Sequence, residues 1–175
     1  MAQIEDGKGT GRRAEVNSSN QLVVKAVAET FFESASEEGK AYNWSSDLVD
    51  IDANDTVLLV KNTSDIDLHI ESISIANGSV ASEYTVHIPT TEVTVTGTTV
   101  TGTNLNTASS NVADATAASD ETNNTQGNVV FTRFMAVDSN EKINTAGLIL
   151  GKNKSVAVDV VADTSESAVT IRAHY

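Results

Sequence analysis

The C-terminal end of the chain alternates. Val156, Val158 and Val160 fall on one parity, and Val169 and Ile171 repeat the pattern shortly after. A period of two is what a strand with one buried face requires, because successive side chains point to opposite faces. Nothing comparable with a helical period appears over a long stretch. This pattern therefore predicts strands at Ser155–Ala162 and Ser167–Tyr175, and it sets the fold class before any other feature is considered.

Further strands follow from the same reading. Thr56–Val60 is a compact apolar run of the kind a buried strand needs. Leu68, Ile70, Ile73 and Ile75 mark a longer strand whose change of parity predicts a bulge near Ser72. Asn77-Gly78 reads as a tight turn that returns the chain through Glu83–Ile88, and Pro89 ends that strand. Gln21–Thr30, Lys40–Trp44, Asn128–Val137 and Ala146–Leu150 complete the set, with a turn at Gly151–Asn153. AETFFESASEE reads as a strand or as a short helix ended by Gly39. About eight or nine strands without a long helix imply an all-β antiparallel β-sandwich, with a jelly roll as the leading topology.

Two stretches stand outside the strand pattern. Thr94–Thr98 and Thr99–Thr103 repeat TVTGT, which reads as a short β-repeat or a hairpin with glycine bulges. Residues 106–127 are rich in Ala, Ser, Asn, Thr and Asp and are expected to form a long exposed loop. At the other end, residues 1–20 alternate glycines at 7, 9 and 11 with polar residues and offer no apolar pattern. Such a stretch buries too little surface to offset its ordering entropy. The expected organisation is an extended N-terminal arm, 1–20, and a sandwich domain, 21–175. In the arm Lys8, Arg12 and Arg13 outnumber Glu5 and Asp6, on a chain whose net charge is −13.

That charge disfavours nucleic acid and anionic membrane surfaces as partners. Absence of cysteine removes disulfides and thiolate metal sites. No apolar h-region follows the N-terminus, so no signal peptide is expected. Asp67, His69 and Glu71 share a strand face by their spacing, which reads as a solvated face. His87 has no acidic neighbour in sequence. Asp50, Asp52 and Asn54 begin like a calcium loop, but Asp55 stands where glycine is needed and Lys61 where glutamate is needed. An irregular calcium turn would use Asp50, Asp52 and Asp55; the expectation is no metal and no cofactor. Tyr42 and Trp44 read as core aromatics, with sugar stacking as the functional alternative. No nucleophile–base motif is present, so no enzymatic activity is expected.

The opening AQIEDGKGTGRRAEVNSSNQLVVKAVAET, together with SEEGKAYNW at 36–44, resembles the start of small virion proteins of tailed bacteriophages. These begin with an Ala-Gln-Ile-x-Asp-Gly tract and a glycine-rich stretch, followed by a strand like NQLVVKAV. The resemblance covers the first quarter of the chain. It implies a capsid decoration, or cement, protein on the capsid surface of the virion, made in the host cytoplasm. Its partners would be the major capsid protein and copies of itself, trimer favoured over dimer. Ile4, Lys8, Arg12 and Arg13 of the arm would then make the capsid contact. The alternative is a head-fibre, tail-associated or carbohydrate-binding host-attachment module.

Overall fold

The computed structural model describes residues 15–16, 22–23 and 30–175, except 53–54, 123–126 and 162–163. The chain divides into two units, Met1–Thr30 and Phe31–Tyr175. In the first, β1 (Glu15–Val16) pairs antiparallel with β2 (Leu22–Val23). Of the strand expected at Gln21–Thr30, only this piece is described. The boundary between the units falls at Thr30.

The second unit opens with the helix α1 (Phe31–Glu37), closed by Gly39 at φ +69, where a residue without a Cβ is unstrained. The strands β3 (Ala41–Ser45), β4 (Val49–Ile51), β5 (Thr56–Asn62), β6 (Leu68–Ala76) and β7 (Ser82–Ile88) follow. After them come the short β8 (Thr98–Val100) and β9 (Thr103–Asn104), then β10 (Ala115–Glu121), β11 (Asn128–Met135), β12 (Asn140–Leu150), β13 (Ser155–Val160) and β14 (Thr164–His174). One six-stranded sheet has the order β11-β7-β13-β5-β10-β8. The other has the order β12-β6-β14-β3-β9, with β4 beside β14. All pairings are antiparallel, and the two sheets pack face to face as the all-β sandwich the alternation implies. Among the described residues no helix is long and apolar enough to cross a membrane.

The inner faces supply the core. Leu58, Val60, Val86, Val156, Val158 and Val160 meet Ile73, Ile75, Val169, Ile171, Tyr42 and Trp44, all buried in one cluster. Tyr42 and Trp44 are thus packing residues and are not available to stack on a sugar. Each side chain of this size contributes roughly 1.5–3 kcal/mol when fully buried. The bulge expected near Ser72 is present: Arg172 pairs with Ser72 but Ala173 pairs with Ile70, leaving Glu71 over.

Three expectations change. Asn77-Gly78 does not close a hairpin, because β6 and β7 lie in different sheets. The pair instead anchors the crossing between them. Asn77 donates to the carbonyls of Val80 and Ala136 and accepts from the Tyr84 hydroxyl, while a Cβ on Gly78 would lie 1.9 Å from the Glu166 carbonyl oxygen. The TVTGT repeat is not a hairpin either. β8 adds to β10 at the edge of one sheet, and β9 adds to β3 at the edge of the other. The segment thus straps the side of the sandwich, with Gly102 crossing directly over Trp44. Finally, 106–127 is not one exposed loop. Residues 115–121 form β10, with Ala117, Ala118, Ser119 and Glu121 buried.

The 106–114 loop has its own purpose. The Asn104, Asn106 and Asn111 amides donate to the carbonyls of Gly39, Glu37 and Glu38, satisfying groups left over where α1 ends. Its asparagines cap a helix that the sequence places some seventy residues earlier.

A Cβ on Gly102 would meet Trp44 Nε1 at 2.7 Å. Gly102→Val is expected to cost about 1–3 kcal/mol by overpacking. The emission of Trp44, the sole tryptophan, should shift to the red as the strap lifts. Unchanged emission and melting temperature would show that the strap does not cover this ring.

Candidate functional site

Outside the core, the outer faces of the two sheets differ in kind. That of the β11-β7-β13-β5-β10-β8 sheet is covered. Val93 and Val95, from the segment after Pro89, pack on Leu59 and Ala157, and Lys61 holds that segment through Glu92 and the Val93 carbonyl. Beneath lies a buried polar chain. His87 Nε2 is 2.7 Å from Asp159 Oδ2, and the Thr56 hydroxyl donates to Asp159 Oδ1 at 2.6 Å. The Gly127 N–H donates to His87 Nδ1 at 3.0 Å. Nδ1 therefore accepts, and the ring proton sits on Nε2, facing the carboxylate.

Sequence proximity missed this partner because Asp159 is remote in the chain. Register supplies it: β13 lies between β7 and β5, with Ala157 opposite His87, Asp159 opposite Thr85, and Thr56 opposite Asp159. A histidine held against a carboxylate has the form of a catalytic pair, but the geometry does not support that chemistry. The imidazole is fully buried and both its nitrogens are engaged, leaving no free base to meet a substrate. The chain staples three strands. Glu121 acts likewise: its carboxylate accepts from the Thr96 and Gly97 N–H groups and the Thr96 hydroxyl, fixing the start of the strap.

The acidic turn sits nearby. Asp50 lies in β4, and the Asp55 N–H donates to the Asp52 carbonyl. Burial, followed by the charges of Asp120, Asp52 and Asp159, raises the Asp55 pKa. Among the described residues no three acidic or histidine side chains converge in a way that would hold a metal ion. Asp50, Asp52 and Asp55 are not brought together as ligands.

The outer face of the β12-β6-β14-β3-β9 sheet is open. His69 is exposed and stacks on His174 at 5.2 Å between centroids, so the Asp67–His69–Glu71 spacing does mark a solvated face. Burial, then His69, holds the His174 imidazole below its usual value. Phe32 of α1 meets His174 edge-on, and Arg172 lies over the Phe32 ring. Ile4, Lys8, Arg12 and Arg13, for which a capsid contact is expected, lie outside the described residues. Comparison with known protein families, with curated proteins and with solved structures returns no match.

His87→Ala removes a partner from a buried carboxylate and leaves a cavity. It is expected to cost about 3 kcal/mol, read as a fall in urea midpoint with unchanged slope. A cost below about 0.5 kcal/mol would mean that the pair does not hold the strands together.

Proposed function

We propose that this chain is a virion structural protein of the decoration, or cement, type, bound to the head shell of a tailed bacteriophage through its N-terminal segment. The observation that carries this reading is the division of the chain at Thr30, which separates the segment bearing Ile4, Lys8, Arg12 and Arg13 from the sandwich. A binding segment set apart from a β-body is what a protein needs to grip one surface and present another. The phage-like opening lies across that same boundary.

Strand order supports a jelly-roll topology. Take β3, β5, β6, β7, β11, β12, β13 and β14 as a chain-ordered set of eight. In one sheet the first pairs with the last, the last with the third, and the third with the sixth. In the other the second pairs with the seventh, the seventh with the fourth, and the fourth with the fifth. We read this order as the double Greek key of a jelly roll, with β8, β9 and β10 inserted between its fourth and fifth strands.

Self-association is favoured by the edge strand β11. Val129, Val130 and Phe134 are exposed there, and the strand carries neither proline nor lysine to protect its open edge. A homotrimer with β11 at the contact would cover that edge, since closed symmetric assemblies are the rule for soluble oligomers. Light scattering that reports a monomer at every concentration would remove this part of the reading.

A chain starting at Val16 tests the tether. The truncated protein is expected to keep its melting temperature, because the sandwich begins after Thr30, and to lose most binding to undecorated capsids. Full-strength binding without residues 1–15 would reject the N-terminal contact and move it to the sandwich.

A further inference from the structure

Two rows of polar side chains cross the open sheet face. Asn144, Ser72, Arg172, Asn43 and Thr103 stand opposite one another on β12, β6, β14, β3 and β9. Lys142, Ser74, Thr170 and Ser45 form the neighbouring row. In antiparallel strands, directly opposed residues share a face. The serines of β6 are short, while the cations on either side are long. Strand spacing and rise place Lys142 and Arg172 about 12 Å apart at their Cα atoms, diagonally across β6. The result is a depression of about 110 Å³ lined by Asn43, Ser72, Ser74, Lys142, Thr170 and Arg172.

Both cations are available. Lys40, Lys61, Arg133 and Lys152 hold carboxylates, whereas among the described residues Lys142 and Arg172 have no acidic partner. Arg172 uses Nε on Asn43 Oδ1 at 3.3 Å and lies 5.2 Å from the Phe32 ring centroid. These contacts orient the guanidinium and leave its terminal nitrogens without a protein acceptor among the described residues. The Ser72 and Ser74 hydroxyls make no hydrogen bond there either, although Ser72 is 2 % exposed. On a protein of net charge −13, two adjacent cations over a floor of unused hydroxyls form a local oxyanion site.

The depression opens into a larger groove. Asn43 and Thr170 belong to both, and the groove, about 560 Å³, continues along Ser45, Asp47, Thr98 and Thr101 to the strap. Its lining includes neither Lys nor Arg and no aromatic ring. Each hydroxyl there both donates and accepts, and the Asp47 carboxylate only accepts. Such a lining complements a ligand that is itself dense in hydroxyls.

The geometry points to an acidic saccharide as the ligand of this face, its carboxylate held between Lys142 and Arg172 over Ser72 and Ser74, its neutral ring hydroxyls running along Asn43 and Thr170 into the strap groove. An acidic peptide would satisfy the cations and leave the groove hydroxyls unused. A neutral glycan would fill the groove and leave the cations unpaired. Saccharide binding here is independent of the capsid role and serves the opposite need, a surface to present.

The test is calorimetric titration of the full chain with 3′-sialyllactose, which carries one carboxylate and two neutral sugars, with lactose and with triglutamate. Sialyllactose is expected to bind, and the other two to bind at least tenfold more weakly. Lys142→Gln, at a residue without an acidic partner among those described, should weaken sialyllactose about tenfold and leave the melting temperature unchanged. Arg172→Gln should weaken it at least as much. Absence of sialyllactose binding, equal binding of triglutamate or lactose, or an affinity unchanged in Lys142→Gln would each overturn the proposal.

Discussion

Everything in the sandwich depends on the burial of two apolar sheet faces against each other. Leu58, Val60, Val86 and Val158 on one side, and Ile73, Ile75, Val169 and Ile171 on the other, can leave water only if both sheets form together. That requirement fixes register, because a one-residue slip would turn a strand's apolar set outward. It also fixes what the outer faces can be. One of them is covered by the segment after Pro89 and carries a buried polar chain; the other stays open and polar.

The connections solve problems that this packing creates. A sandwich has open sides, and the chain closes one with the strap over Trp44, crossing at a glycine because the ring leaves no room for a Cβ. A short helix ends with unsatisfied carbonyls, and distant asparagines satisfy them. The crossing from β6 to β7 is tied by Asn77 to Tyr84, which in turn meets Ser167. These devices use Gly, Asn, Ser and Thr, residue types that composition alone assigns to exposed loops.

This explains what was legible in the sequence. Strands with one buried face announced themselves by alternation, as β13 and β14 did, and the parity change at Ser72 marked a real bulge. β10 was hidden, because ATAASDE lacks the β-branched apolar residues that signal a strand. Its small side chains fit where the strap approaches closely. The first half of β12, NEKINT, was hidden because it lies at a sheet edge with polar residues on its outer face. His87 and Asp159 could not be paired without strand order, and neither could Lys142 and Arg172. Only the parity of Asn43, Ser45, Ser72, Ser74, Thr170 and Arg172, opposite to that of their buried neighbours, hinted at the open face. Nothing local said that the strands would align them in rows.

A chain that divides at Thr30, a two-sheet antiparallel sandwich and a polar outer face fit the proposed protein, one that lies on a symmetric shell with one surface outward. Copy number in purified particles tests that claim most directly, because a shell component must follow the shell's symmetry. Quantitative mass spectrometry against the major capsid protein should find this chain in hundreds of copies per particle. A handful of copies, the number a tail or fibre part would have, would contradict the account.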